Sequence, residues 1–239
     1  MNAPDRLRQT VQLQEFVTGS DPAATPCASL IVLHGLGTEG GDFIPLLRAL
    51  DLRGLGPVHC VCPNAPLRTI SINGAEMHAW YDARPPEETR LHAPQPADES
   101  GLRASQRIVQ ALIDREVARG MPSERIVLMG FSQGAVLALH AGLRAPQRLG
   151  GLVALSGYLP LSARVLQAEA SAFNQRLPLF LAHGEQDEVI TIDRARAART
   201  ALQAIGHLVD WHLYPMGHEV SDAELADLGA WLTGVLSVV

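Results

Sequence analysis

The chain has 239 residues, 47% of them hydrophobic and 18% charged, a globular composition that excludes an intrinsically disordered protein. A formal net charge of −6 and an isoelectric point of about 5.8 speak against nucleic acid or an anionic membrane surface as partner. All 19 basic residues are arginine, and without lysine the P-loop NTPases, protein kinases, Schiff-base enzymes and Ser–Lys hydrolases are excluded, because each needs an amine.

A chain of this length buries roughly 70% of its unfolded surface. It needs neither disulfide nor structural metal to hold a core, and residues 1–239 are expected to form one domain. Cys27, Cys60 and Cys62 contain no CxxC pair and are read as buried small apolar residues. The opening MNAPDRLRQTVQLQ lacks an apolar h-region, which predicts no signal peptide. No run approaches the roughly 18 apolar residues of a membrane span, so a cytoplasmic location is expected.

In chain order, residues 11–17 alternate and predict an edge strand. Runs 30–33, 58–62, 125–130, 152–155, 179–182 and 208–213 are short and apolar, as in a parallel sheet covered on both faces. Residues 84–100 carry four prolines and predict an irregular surface excursion, of the kind that forms site walls or plain loops. Between 102 and 119, Ile108, Val109, Leu112, Ile113 and Val117 make one helical stripe, stopped by Gly120 and Pro122. Ser221 to Glu224 has capping-box spacing and opens a helix with Leu225, Leu228, Leu232 and Leu236 inward. This alternation predicts an α/β fold, a mostly parallel central sheet with helices on both faces.

Gly130-Phe131-Ser132-Gln133-Gly134 is a G-x-S-x-G sequence between a buried strand and a helical run. That is where a nucleophile elbow sits, with Ser132 projecting from the sheet edge. A serine hydroxyl needs a base, itself oriented by a carboxylate, and on such a fold both follow later in the chain. Asp187 follows the run 179–182 and His218 follows 208–213, so both reach the edge where Ser132 lies. Glu185 and Glu188 are the rival acids; His183, His207, His212 and His140 are weaker candidates for the base. The turn His34-Gly35-Leu36-Gly37 follows the strand 30–33 and offers the Leu36 main-chain N–H to an oxyanion, Gln133 N–H being the second donor.

Gly35 to Gly40 also matches the dinucleotide fingerprint G-x-G-x-x-G, but the next strand ends Cys62-Pro63-Asn64 without the required acid. His218-Glu219 lacks the second histidine of a zinc-protease motif, and no cysteine pair has zinc spacing. Neither a cofactor nor a metal is implied.

With these residues in hand, the chain resembles the phospholipase/carboxylesterase family of α/β-hydrolases, from about Leu30 to Trp231. The carriers are Leu33-His34-Gly35-Leu36-Gly37, Pro63-Asn64-Ala65-Pro66, Trp80-Tyr81-Asp82, the elbow, Leu155-Ser156-Gly157-Tyr158-Leu159-Pro160, His183-Gly184 with Asp187, and Tyr214-Pro215-Met216-Gly217-His218-Glu219-Val220. The resemblance implies an α/β-hydrolase fold with Ser132 as nucleophile, Asp187 as orienting acid, His218 as base, and the Leu36 and Gln133 amides at the oxyanion. It also implies Trp80 near the acyl pocket, and Tyr81 is expected beside it in the wall. Two departures stand out: Ala135 replaces a second glycine after the elbow, and Met77-His78-Ala79 replaces the usual Met-Pro-Ser. The implied activity is hydrolysis of small-molecule carboxylic esters. A wall of Trp80, Tyr81 and the polar excursion 84–100, unlike the apolar lid of a lipase, leads us to expect short to medium acyl chains. Acyl-protein thioesterase or lysophospholipase action on the same triad, and a non-catalytic binding scaffold, are the alternatives. A monomer or homodimer is expected.

Overall fold

The structure, a computed structural model, describes residues 11–19, 24–83 and 98–237. Nine strands are present among them. Seven form one sheet in the order β1-β3-β2-β6-β7-β8-β9: β1 (Leu13–Val17), β2 (Ala28–Leu33), β3 (Val58–Pro63), β6 (Ile126–Phe131), β7 (Gly151–Leu155), β8 (Leu179–Gly184) and β9 (Val209–Tyr214). Only β1 is antiparallel, pairing Leu13↔Pro63 through Val17↔His59 at the edge; every other pairing in this sheet is parallel. β4 (Leu67–Thr69) and β5 (Glu76–His78) form a separate hairpin.

Period 2 along each strand sends alternate side chains to opposite faces. Ile31, Leu33, Val61 and Leu128 meet α2 (Glu99–Ala118), α3 (Gln133–Gly142) and α5 (Ile192–Ala204) through Leu112, Leu137 and Leu202. Leu30, Val32, Cys60 and Cys62 face α1 (Ile44–Ala49) and α6 (Asp222–Ser237) through Leu47, Leu228 and Leu232. Every residue of β2, β3, β7 and β8 is buried. That is why these strands read as continuous apolar runs. A short helix, α4 (Ala163–Glu169), follows β7.

Several boundaries differ from expectation. Arg125 belongs to a 3₁₀ turn before β6, and Leu208 is exposed ahead of β9. Val117 is exposed because the stripe of α2 rotates off the sheet in its last turn, whereas Glu116 is buried beneath it. Within 84–100, residues 84–97 lie outside the described residues, and Glu99 and Ser100 are already helical. Asp98 caps that helix, accepting from Gly101 N–H at 3.0 Å and Ser100 Oγ–H at 2.8 Å. Cys60 and Cys62 are buried and their thiols pushed up by desolvation, as inert core residues are. Cys27 is only half-buried and donates to the carbonyls of Leu55 and Pro57.

β2 connects onward to β3 on one side of the sheet, while its other neighbour β6 connects onward to β7 on the opposite side. The order in which strands are added across the sheet therefore reverses between β2 and β6, and at such a switch point the loops leaving the carboxyl ends diverge.

Candidate active site

Ser132 stands at the end of β6 with φ 54° and ψ −119°, a backbone that L-residues rarely adopt. The flanking glycines make this turn possible. A Cβ at Gly130 would lie 2.2 Å from Gly134 C, and one at Gly134 would lie 2.0 Å from the Leu33 carbonyl oxygen. Ser132 N–H is tied to Leu155 C=O at 2.9 Å, so the strained turn is pinned to β7.

His218 lies in the loop after β9, its Nε2 2.9 Å from Ser132 Oγ. Its Nδ1 is 2.7 Å from Asp187 Oδ2. With Nδ1–H donating to the carboxylate, Nε2 is left to accept from the serine hydroxyl. The Phe131 ring covers the imidazole, with centroids 4.8 Å apart. Asp187 is buried, and its other oxygen accepts from the Val189 and Ile190 N–H groups, each at 2.9 Å. Burial alone would push this carboxyl up. The hydrogen bonds from His218 and the Ile190 amide outweigh it and hold Asp187 below the ordinary carboxylate value, ionised at neutral pH.

His183, Glu185, Glu188 and His140 take no place in this line. His183 is fully buried and donates through Nε2 to Ile190 C=O at 2.7 Å, closing the loop that carries Asp187. Glu185 and Glu188 are exposed. His140 is buried within α3, and burial depresses its pKa to about 3.

Leu36 and Gln133 lie on the two sides of the switch point, one after β2 and one after β6. Neither main-chain N–H has a hydrogen-bond partner among the described residues. The Leu36 turn is fixed from behind by His34, whose Nδ1–H donates to Gly35 C=O at 2.6 Å and whose Nε2 accepts from Ala65 N–H at 2.8 Å. Burial lowers the His34 pKa against the opposing effect of the Gly35 carbonyl, which keeps the ring neutral in that tautomer.

Trp80 departs from expectation. Its indole is 0% exposed and donates Nε1–H to His34 C=O at 2.9 Å. It supports the Leu36 turn from behind and offers no open surface to an acyl chain. Tyr81 is also buried, its hydroxyl 3.4 Å from that of Tyr158. Exposed apolar side chains include Val189, whose N–H donates to Asp187, and Leu67 and Ile72 at the β4–β5 hairpin, whose His78 C=O accepts from Gly37 N–H at 2.9 Å. Two three-residue strands give little periodicity to detect, so the sequence pattern does not reveal this hairpin.

Among the described residues, one His/Cys/Asp/Glu group has metal-like spacing: Glu15, His59 and Glu116, at the opposite end of the sheet. Its charges are already met. Arg115 takes both Glu15 oxygens at 2.7 and 2.9 Å, while Ser29 and His59 occupy Glu116 Oε2 at 2.7 and 2.8 Å. No helix among the described residues is long and apolar enough to cross a membrane.

Residues 15–236 match the family described as phospholipase/carboxylesterase. The chain belongs to that family. Acyl-protein thioesterase 1 of Yarrowia lipolytica is 37% identical over 216 residues, 87% of this chain and 92% of that protein. The carboxylesterase SOBER1 of Arabidopsis thaliana is 30% identical over 205 residues, 85% of this chain and 88% of that protein. The crystal structure of SOBER1 aligns with a TM-score of 0.80 at 29% identity, covering 87% of this chain and 99% of that one. That of Zea mays acyl-protein thioesterase 2 aligns at 0.77 and 32%, covering 93% and 99%. The fold of this family member is accordingly the α/β-hydrolase fold, a mostly parallel sheet with helices on both faces.

Proposed function

We propose that this chain is a serine hydrolase that cleaves carboxylic esters of short to medium acyl chain through an acyl-enzyme, with Ser132 as nucleophile, His218 as base and Asp187 as orienting acid. The observation that carries the reading is the continuous hydrogen-bonded line Asp187–His218–Ser132, together with Leu36 and Gln133 amides that have no partner among the described residues. His218 Nε2 takes the hydroxyl proton as Ser132 Oγ bonds to the ester carbonyl carbon. The carbonyl electron pair moves onto oxygen, which the Leu36 and Gln133 N–H groups receive. When that pair returns, the alkoxide leaves with the proton held by His218. Water then repeats the sequence, with His218 accepting its proton, and releases the acid and Ser132. The exposed Leu67 and Ile72 offer the acyl chain apolar surface, at about 0.8 kcal/mol per methylene buried.

Thioester cleavage is a second reading, favoured by the 37% identity to an acyl-protein thioesterase. The two differ only in the leaving group. Matched ester and thioester substrates of graded acyl length are the test, with fluorophosphonate labelling to count active sites. Wild type is expected to label once, to prefer short to medium chains, and to lose part of its gain per methylene in Leu67→Ser and Ile72→Ser. Ser132→Ala should lose several orders of magnitude in kcat and all labelling. A Ser132→Ala protein retaining a tenth of wild-type activity overturns the mechanism, and emulsified long-chain triglycerides as best substrates overturn the chain-length assignment.

A further inference from the structure

The two oxyanion donors sit on separate loops. The ladder between β2 and β6 ends at Leu33↔Gly130, one residue short of the His34 turn and two short of Ser132. Beyond that pair the sheet no longer sets the distance between Leu36 N–H and Gln133 N–H.

A second set of bonds begins where the ladder stops. The Gln133 side chain is buried and both its polar atoms are used: Oε1 accepts from Trp80 N–H at 2.7 Å, and Nε2–H donates to Tyr81 C=O at 2.8 Å. Trp80 reaches on through its indole N–H to His34 C=O at 2.9 Å, and the His34 ring lies 5.2 Å from the indole, centroid to centroid. The remaining polar group of Trp80, its carbonyl, accepts from Ser105 Oγ–H on α2. A hydrogen-bonded path thus runs from Gln133 through Trp80 to His34, two residues before Leu36. One residue supplies both an oxyanion amide and the side chain that ties it to the other arm.

We propose that the Gln133 side chain and Trp80 are positioning residues, a bracket that fixes the separation of the Leu36 and Gln133 amides; the proposal rests on the serine-hydrolase reading above. An oxyanion donor works only within about 2.7–3.1 Å of the developing charge. Loosening the bracket therefore weakens transition-state stabilisation while leaving ground-state binding in place. Filling the buried hydrogen-bonding needs of residues 80 and 81 would affect stability alone.

The test uses the full-length enzyme and the variants Gln133→Met, which removes both side-chain bonds at similar volume, Trp80→Phe, which removes the indole N–H bond to His34 with a smaller ring, and their combination; all retain both amides. An aryl butyrate gives kcat and KM, an alkylboronic acid serves as tetrahedral analogue, and fluorophosphonate titration corrects for folded enzyme. Each single variant should lower kcat by about 10- to 100-fold, the range expected for displacing a donor rather than deleting it, with KM nearly unchanged. Boronate affinity should fall by the same factor, and the double variant should be no worse than the worse single, because both changes open one bracket. Should Gln133→Met not fold, Trp80→Phe carries the comparison alone. Boronate affinity unmoved while wild type labels and turns over, losses that multiply, or losses fully accounted for by fewer titrated sites would each overturn the bracket. A wild type that neither labels nor hydrolyses esters overturns the serine-hydrolase reading and the bracket with it.

Discussion

Asp187 divides its two oxygens between two tasks: one receives the Val189 and Ile190 amides and holds the loop, the other receives His218 Nδ1–H. Converting it to asparagine preserves size and puts an amide where an acceptor is needed. If the amide nitrogen faces His218, the ring turns to its other tautomer and Nε2 no longer accepts the serine proton. Asp187→Asn is therefore expected to lower kcat on the order of 10³- to 10⁴-fold, whereas Glu185→Gln and Glu188→Gln, on exposed side chains, stay within about twofold. Steady-state kinetics on the three variants decides it, and a mild Asp187→Asn beside a damaging glutamate variant would reassign the acid. The order Ser132, Asp187, His218 was legible in the sequence because each follows a strand that the sequence pattern reveals. The burial of Trp80 was not. A large aromatic next to a site reads the same whether it lines a pocket or supports it, and only the indole N–H bond to His34 separates the two.

At the scale of elements, helix α3, which starts directly after Ser132, approaches the end of β2 so closely that glycine is required. A Cβ at Gly134 would meet the Leu33 and His34 carbonyl oxygens at 2.0 and 2.6 Å, and backbone oxygens cannot swing aside. Gly134→Ala is expected to cost about 1–3 kcal/mol in unfolding free energy and to reduce the fluorophosphonate-titratable fraction, since the helix can escape only by carrying Ser132 with it. Gly234, exposed on α6, has nothing within 4 Å of where a methyl would stand, so Gly234→Ala should stabilise by roughly 0.5–1 kcal/mol. Urea midpoints of the two variants on opposite sides of wild type are the check. Inner strands were readable within one or two residues, because burial on both faces writes an unbroken apolar run. The start of α2 was not, since its cap depends on distant partners: Asp98 accepts from Asp82 N–H at 2.9 Å and lies 3.9 Å from Arg68.

At the scale of the whole molecule, the last helix returns to the sheet directly behind the His218 loop, and it carries a carboxyl into the interior. Ser221 Oγ accepts from Glu224 N–H at 3.2 Å, half of the capping box that the spacing predicts. The other half does not form. Glu224 is fully buried, and neither of its carboxyl oxygens has a hydrogen-bond partner among the described residues. Desolvation pushes its pKa up to about 8 from an ordinary 4.5, and the nearby Ser221 backbone offsets this only in part. Tyr214, the neighbouring titratable group, is itself pushed up by burial and by its bond to Asp227, and supplies no positive charge. The folded protein thus prefers neutral Glu224, while the unfolded chain ionises it above about pH 4.5. Its contribution to stability is fully present below that value and is lost as pH rises towards 8, with a slope of about 1.4 kcal/mol per pH unit. Glu224→Gln keeps the neutral shape and cannot ionise. Wild type and variant should therefore unfold at similar urea concentrations at pH 5, with the variant clearly more resistant at pH 8; every other titrating group is common to both, so the difference belongs to Glu224. Parallel stability curves across that range would mean that the carboxylate finds a partner once it is charged.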